Sequence, residues 1–280
     1  SSWPLESQYD STFFYDTGVN GVGKIYATWW VYFQGGDSNG QWKMWYIKQN
    51  GNFSNDNTGF RSNIWPQADG SVGMKFILLY CGEGGEYASC FPGGDAGLRW
   101  LDDSPNPGEW VRLEVYGEES SAPGVRDGTA VYSMHRQTEP VKDLISWKGN
   151  VVTWGETITN RWRTFMFANY WDNITGGTCT QEKVYINNVY IQDRQGARAD
   201  LSDNEVWANC RHREIQGPSE WSENSITVTM NQGSFVNGDT AYIFVVDADG
   251  NVSNGYPITI GGELPPTPPN GLRIEDWAVD

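Results

Sequence analysis

The strongest constraint on the fold is an apolar alternation of period two over the segment Lys24 to Gln34. Successive side chains of a β-strand point to opposite faces, so such a segment sorts its residues into two sets. One face receives Ile25, Ala27, Trp29, Val31 and Phe33, and the other receives Tyr26, Thr28, Trp30 and Tyr32. No window long enough for a helix keeps a period of about 3.6 residues with capping residues. The sequence therefore predicts a chain built from strands.

The rest of the chain repeats this pattern of short alternating segments separated by turns. A Gly- and Asn-rich turn follows the first strand, and Gln41 to Lys48 then alternates again, which predicts a hairpin. Further strands are predicted at Gly73–Tyr80, Trp110–Tyr116, Thr129–Arg136, Trp162–Ala168 and Lys183–Ile191. Short strands at regular spacing are typical of an antiparallel sandwich. We therefore expect an all-β fold.

The length of 280 residues allows one large domain and one small one. We predict an antiparallel jelly-roll β-sandwich over residues 1–204 and a small immunoglobulin-like β unit over 205–262. The second unit is indicated by the strand-like segments Ser225–Met230, Thr240–Val246 and Tyr256–Ile260, which are separated by Asn-Gly and Asp-Gly turns.

The C-terminal tail, residues 263–280, begins with a proline-rich segment that favours an extended, semi-rigid conformation. Beyond it, Leu272, Ile274 and Trp277 are apolar residues with no evident core of their own. They predict either a disordered end or a strand that docks on this chain or on a neighbouring copy. Docking on a neighbouring copy would make the protein a homo-oligomer and a structural subunit of an extracellular assembly.

The charge balance restricts the partners. Lys and Arg number 19 and Asp and Glu number 35, so the net charge is −16. This field opposes a duplex-DNA or anionic-membrane partner, and no apolar run is long enough to insert into a membrane. We therefore predict no nucleic-acid partner and no membrane insertion.

The four cysteines bear on the compartment. Cys81, Cys90, Cys179 and Cys210 permit three pairings, and their spacing favours Cys81–Cys90 with Cys179–Cys210. Two disulfides would place the chain outside the cell or at its surface. The alternative is four buried free thiols.

Five segments, read together, carry a resemblance to a known superfamily. They are KIYATWWVYF at 24–33, QWKMWYI at 41–47, GEWVRLEVY at 108–116, FMFANY at 165–170 and KVYINNVYI at 183–191. In this order they resemble the concanavalin A-like lectin/glucanase jelly rolls, which include laminin-G-like modules, glucanases and several polysaccharide lyases. The resemblance spans residues 10–200 and implies two stacked sheets, of which the concave one often holds a saccharide. Farther along, SEWSENSITVTMNQGSF and DTAYIFVVDADGNVSNGYPITI resemble the second half of an IPT/TIG immunoglobulin-like module.

The strand alternation suggests which residues would face that saccharide. They are Trp30, Tyr32, Lys43, Trp45, Trp110, Arg112, Glu114 and Tyr116. Aromatic faces stack on the apolar faces of sugar rings, and charged groups bind hydroxyls or uronate carboxylates. The sequence thus predicts a carbohydrate-binding protein with an aromatic groove, whose partner is a polysaccharide or a surface glycan. The same rings would also serve as ordinary packing under long loops.

An enzymatic function is the alternative. A glucanase-type hydrolase needs two carboxylates about 5.5 Å apart, which that family carries as E-x-D-x-x-E or E-x-D-x-E, and neither occurs. A polysaccharide lyase needs a base, an acid and a group that neutralises the uronate. Alginate-lyase relatives supply an Arg, a Gln-Ile-His triplet and a Tyr. The resemblance implies Arg61, His135 and Tyr170 for these roles, although Ser133-Met134-His135 replaces the triplet.

No cofactor is required by either interpretation. Jelly rolls of this class often hold a structural calcium through backbone carbonyls and one Asp, so a calcium ion is compatible with the acidic chain at a site that the sequence does not locate. The segment Asp247–Asn251 lacks the Gly and Glu positions of an EF-hand loop. It predicts an Asp-Gly turn between two strands instead.

Overall fold

The computed structural model describes residues 2–4, 13–18, 20–33, 40–48, 59–66, 72–78, 98–155, 161–173, 183–193 and 196–262. Apart from one turn of 3-10 helix at Trp207–Asn209, the regular structure in these ranges consists of β-strands, which confirms the all-β prediction. The chain forms two compact units. The first contains residues 1–134 and 143–194, and the second contains residues 135–142 and 195–280.

Twelve strands form two six-stranded sheets. Sheet A has the spatial order β1 (Ser2–Pro4), β12 (Lys183–Gln192), β3 (Lys24–Phe33), β8 (Trp110–Glu118), β9 (Gly128–Arg136) and β10 (Lys142–Val151). Sheet B has the order β2 (Phe13–Asp16), β11 (Thr164–Asn173), β4 (Gly40–Lys48), β5 (Phe60–Pro66), β6 (Val72–Leu78) and β7 (Leu98–Trp100). The pairings of β3 with β8 and of β4 with β5 are antiparallel, as expected for a β-sandwich.

The core lies between the two sheets and follows from the alternation. Strand β3 contributes Ile25, Ala27, Trp29, Val31 and Phe33, and β8 contributes Val111, Leu113 and Val115, as predicted. From sheet B, Trp45 and Phe167 meet the Trp29 ring at centroid distances of 6.0 and 5.1 Å. Each fully buried large apolar side chain contributes about 1.5–3 kcal/mol, so this aromatic cluster is a main source of stability for the sandwich.

Strand β4 breaks its own alternation. Its pairing with β5 shifts between Lys43 and Trp45, and its pairing with β11 shifts between Phe167 and Tyr170. A β-bulge inserts an extra residue into one strand and so exchanges the faces beyond it. The core consequently receives Trp42, Met44, Trp45 and Ile47. Trp45, predicted to face outward beside Lys43, is instead fully buried, and its indole N–H donates to the Tyr132 hydroxyl at 3.2 Å.

The second unit has two sheets of its own. A four-stranded sheet has the order β14 (Arg213–Gln216), β13 (Arg198–Ser202), β17 (Thr240–Val246) and β18 (Tyr256–Thr259), and β15 (Pro218–Trp221) pairs with β16 (Ile226–Val228). Its core contains Leu201, Phe235, Ala241, Ile243, Ile258 and Ile260. The division at residue 195 differs from the predicted boundary at 204, because β13 pairs with β17 and therefore belongs to this unit.

The predicted Asp-Gly turn lies between β17 and β18. The Asp247 carboxylate accepts the backbone N–H groups of Asp249 and Asn251 at 2.9 and 2.8 Å. Gly250 has a φ of 84°, a left-handed conformation that glycine adopts without steric cost. The Asn251 side-chain amide donates to the other Asp247 oxygen at 2.8 Å, and this hydrogen bond, together with those from the backbone, lowers the pKa of Asp247.

The predicted disulfide at Cys210 is not formed. Cys210 is a free, buried cysteine whose Sγ donates to the carbonyl oxygens of Asn204 and Val206 at 3.6 and 3.5 Å. The thiol is turned into this short helical turn, and the predicted Cys179–Cys210 bond is absent from the structure. Cys81, Cys90 and Cys179 lie outside the described residues, as does the tail 263–280. Within the described ranges, no helix has the length and apolarity needed to cross a membrane.

Candidate functional site

Six of the eight residues predicted to contact a saccharide share one surface, the outer face of sheet A. They are Trp30, Tyr32, Trp110, Arg112, Glu114 and Tyr116. Their neighbours along β3 and β8 fill the core, so alternation directs these six away from it. The outer face of strands β12, β3 and β8 is named face A below.

A row of three aromatic residues crosses face A at one end. The strand registers pair Tyr185 with Tyr32, and Tyr32 with Trp110. The Tyr32 ring lies 5.5 Å from Trp110 and 5.7 Å from Tyr185, in tilted and edge-on arrangements. Trp110 is 38% exposed, and the two tyrosines are half-buried. The tyrosines therefore brace an indole that remains accessible.

The charged residues that β3 and β8 contribute to face A are paired with one another. Arg112 is buried, and its Nε donates to the Thr28 hydroxyl at 2.8 Å while its Nη2 lies 3.3 Å from Oε2 of Glu114. The Tyr26 hydroxyl donates to the same Glu114 oxygen at 2.9 Å. Arg112, predicted to bind a ligand, is therefore held within the sheet by its neighbours.

The outer face of sheet B has a different composition. Because Trp45 and Ile47 point to the core, Tyr46 and Lys48 point the other way. The registers pair Tyr46 with Arg61, Lys43 with Asn63, and Asn63 with Lys75. Strands β4, β5 and β6 contain four basic residues, Lys43, Lys48, Arg61 and Lys75, and no Asp or Glu. The outer face of these three strands is named face B below. The neighbouring strand β11 adds one acidic residue, Asp172, which pairs with Gln41 of β4.

The floor of face B is a buried polar cluster around Tyr46. Arg61 donates from Nη1 to the Tyr46 hydroxyl at 3.4 Å, and its guanidinium carbon lies 5.6 Å from the Tyr46 ring centre. The Lys48 Nζ lies 4.9 Å from the same ring. Lys48, Arg61 and Asn63 are at most 2% exposed, whereas Lys43 and Lys75 are half-buried. The face thus combines a floor of buried basic residues with two half-buried lysines.

The structure brings two of the three predicted lyase residues into sheet B. Arg61 lies on β5, and Tyr170 on β11 pairs with Lys43 of β4. His135 lies on β9 of sheet A, and it is buried. Its neighbour Met134 fills the core, so alternation places His135 on the outer side of sheet A. Grouping His135 with Arg61 and Tyr170 was therefore wrong.

Sequence reasoning missed Tyr46, Lys48, Asn63 and Lys75. Three of them, Lys48, Asn63 and Lys75, had a signal in the sequence. Each is a basic or amide residue at an alternating position of an otherwise apolar strand, in a chain of net charge −16. Tyr46 was assigned to the core because the bulge in β4 was not foreseen.

No metal site is defined by the described ranges, where no group of three or more His, Cys, Asp or Glu side chains is placed to hold an ion. The structural calcium stays a prediction without a location.

A scan of family models finds no match, and neither does a search of curated proteins. Among solved structures, a PL-14 alginate lyase from Aplysia kurodai is similar at 15% identity and a TM-score of 0.42, over 62% of this chain and 71% of that chain. An alginate lyase from Alteromonas sp. 272 has 13% identity and a TM-score of 0.38, over 68% and 85%. A binding domain of botulinum neurotoxin serotype D/C has 9% identity and a TM-score of 0.36, over 82% and 57%. At such low identities and TM-scores, these similarities assign no activity or residue role to this chain.

Proposed function

We propose that the protein binds an acidic, uronate-containing polysaccharide on face B. The observation that carries this proposal is the concentration of four cations on three adjacent strands that contain no acidic residue, in a chain with 35 acidic residues against 19 basic ones. An anionic polymer is repelled by the acidic surface as a whole. It is therefore attracted to the surface where cations predominate locally.

The residues of face B suit carboxylate recognition. Arg61 is as buried as Arg112 on face A, so it would contribute a fixed positive charge beneath the surface. Direct contact with a carboxylate would fall to the lysines above it. Lys43 and Lys75 are half-buried, and their ammonium groups would attract neighbouring uronates along a chain. An extracellular or cell-surface location, where such polymers occur, belongs to the same proposal.

Cleavage of that polysaccharide by β-elimination is the second candidate. It is favoured by the Tyr46 hydroxyl, which lies 3.4 Å from Nη1 of Arg61, and by the pairing of Tyr170 with Lys43. In this reaction, a base removes the proton next to the uronate carboxyl. The glycosidic bond breaks, a C=C bond forms, and the leaving oxygen gains a proton. Arg61 would stabilise the negative charge that develops on the carboxylate, and Tyr46 or Tyr170 would exchange protons.

Affinity electrophoresis in gels containing alginate or polygalacturonate tests the proposed binding. The key variant is Lys43→Ala on face B, and the matched control is Lys24→Ala on face A, which changes the net charge by the same amount. We expect retardation of the wild type and of the Lys24→Ala variant, with a roughly tenfold weaker interaction for Lys43→Ala, about the contribution of one charge-assisted contact. Equal weakening of both variants, or no retardation of the wild type, would contradict a site on face B.

Ultraviolet absorbance of the same mixtures tests the cleavage. A lyase forms an unsaturated product that absorbs near the ultraviolet edge, and Tyr46→Phe and Tyr170→Phe separate the two candidate proton carriers. Binding without any rise in absorbance would leave the protein a carbohydrate-binding protein and remove the lyase candidate.

A further inference from the structure

The most unusual feature of face A is its exposed indole. Trp110 and Trp221 are the exposed tryptophans of the described residues, at 38% and 41%, in a chain that contains 15. Trp221 lies in the second unit at the end of the short strand β15. Trp110 begins a central strand of sheet A beside two further aromatic rings, so the two tryptophans have very different surroundings.

The position of Trp110 is fixed before any ligand arrives. Its strand partner Tyr32 packs against it at 5.5 Å and is itself braced by Tyr185 at 5.7 Å. The turn ahead of it is tied by a hydrogen bond of 2.7 Å from the Gly108 N–H to the Phe33 carbonyl, and Gly108 has a φ of 83°. A ring held in this way loses little conformational entropy on binding, which favours affinity.

The charge on face A indicates what kind of ligand would bind. Strands β3 and β8 contain two basic and two acidic residues. These residues pair as Arg112 with Glu114 at 3.3 Å and Lys24 with Glu118 at 2.9 Å. These two strands therefore contribute no net charge, and Lys183, the first residue of β12, is the single charged residue of the third strand. Its accessible polar groups include the exposed Asn187, which pairs with Trp30 in the middle of the sheet. An aromatic ring with uncharged polar neighbours suits the hydroxyls and apolar ring faces of a sugar.

The size of the aromatic row argues against a second protein as the occupant. Three strands span about 10 Å, at about 4.8 Å between neighbours. Three rings, two of them half-buried, offer much less than the roughly 800 Å² that each partner of a stable protein interface buries. A glycan of a few residues fits this area better than a folded partner.

We propose that face A carries a second saccharide site, separate from face B, in which Trp110 stacks on a pyranose ring of a neutral glycan. The site does not rest on the function proposed for face B, since it uses other residues on the other sheet and the opposite ligand charge. The protein would then hold two chemically different polysaccharides at once, one acidic and one neutral.

Affinity electrophoresis with three neutral polymers tests this site: hydroxyethyl cellulose, arabinoxylan and glucomannan. The variant is Trp110→Ala, and the matched control is Trp221→Ala, which removes an equally exposed tryptophan from the second unit. We expect at least one polymer to retard the wild type and the Trp221→Ala variant. The Trp110→Ala variant should lose at least tenfold in affinity, and Trp110→Phe should retain part of it. Circular dichroism and the unchanged retardation of Trp110→Ala by alginate would show that the variant is folded.

Several results would overturn the second site. One is that none of the three polymers retards the wild type, and another is that Trp110→Ala is retarded as strongly as the wild type. A third is that Lys43→Ala loses neutral-glycan binding, which would place the neutral glycan on face B. A change in the mass of the particle on Trp110→Ala substitution, measured by light scattering without any glycan effect, would assign face A to a second copy of the chain. If only alginate failed to bind, the site on face B would be contradicted, and the neutral-glycan result would still decide the site on face A.

Discussion

Face A and face B are the outer faces of two sheets that share one core, and they differ in how their charges are arranged. On face A, the basic residues of β3 and β8 lie within 3.3 Å of carboxylates from the same two strands. On face B, strands β4 to β6 supply four basic residues and no carboxylate. The net charge of −16 therefore describes neither face, and the distribution of charge over single strands is the better guide to a ligand.

The two arrangements have different physical consequences. An ion pair within a sheet cancels its own field at a distance and fixes two side chains. Basic residues concentrated on neighbouring strands, as on β4 to β6, raise the local positive potential over roughly one Debye length, about 8 Å at physiological salt. Face A is thus suited to recognition by shape and stacking, and face B to recognition by charge. The predictions below test this contrast, beginning with the largest effect.

The substitution Arg112→Met should have the largest effect on stability. It leaves the partly buried Glu114 without its cation and removes the donor to Thr28, and loss of one partner from a buried pair costs about 3–5 kcal/mol. Urea denaturation of the two proteins measures the difference. The double variant Arg112→Met/Glu114→Met is the control, because removing both charges should recover most of the loss. Equal instability of the single and double variants would show that the pairing on face A is not what stabilises it.

The core between the faces should make both binding activities fail together at alkaline pH. Burial raises the pKa of Tyr132 from 10.0 to about 12. The unfolded chain therefore loses this proton at lower pH than the folded one. Below about pH 10, the neutral Tyr132 makes its full contribution to the free energy of unfolding. This contribution, up to roughly 3 kcal/mol, is lost as the pH rises towards 12.

The measurement is urea denaturation at a series of pH values from 8 to about 12. The control is Tyr132→Phe, which has no phenol to ionise and should lose less stability over the same range. Parallel pH dependence in the two proteins would show that Tyr132 does not control alkaline unfolding.

Salt should separate the two faces. Raising the ionic strength from about 0.05 to 0.5 M shortens the Debye length about threefold. Binding of polygalacturonate to face B should weaken about tenfold or more, and binding of a neutral glycan to face A should remain constant. Methyl-esterified polygalacturonate is the control ligand, since it keeps the backbone and loses the charge. Salt-insensitive binding of polygalacturonate would remove charge as the basis of recognition on face B.

The contrast also explains which parts of the molecule could be predicted from the sequence. Strands β3 and β8 pair without a register shift from Lys24 to Tyr32. Alternation therefore predicted the core residues of these two strands correctly. In β4, the shift between Lys43 and Trp45 exchanged the faces, so Tyr46 was assigned inward and Trp45 outward. A bulge depends on both strands of a pair, and one strand's pattern does not reveal it.

Long-range pairing limited the remaining predictions in the same way. His135 resembles a catalytic residue in type, but its strand lies in sheet A, and the order of strands in a sheet is not encoded in local periodicity. Likewise, β13 fell within the first domain under the predicted boundary at residue 204, and no strand was predicted there. It pairs through Leu201 with Ile243, which lies far along the chain, and so it belongs to the second unit.

The smallest effect is expected within face A itself. The pair Lys24–Glu118 has the same chemistry as Arg112–Glu114, but its side chains are 34% and 39% exposed, against 2% and 13%. Water screens an exposed pair and solvates either partner after the other is removed, so such pairs contribute about 0.2–1 kcal/mol. Glu118→Gln should therefore change the free energy of unfolding, measured by urea denaturation, by less than about 0.5 kcal/mol, and salt should remove the difference. A loss as large as that of Arg112→Met would mean that pairing matters on face A irrespective of burial. A small loss would show that burial, and not the count of ion pairs, makes the charges of face A structural.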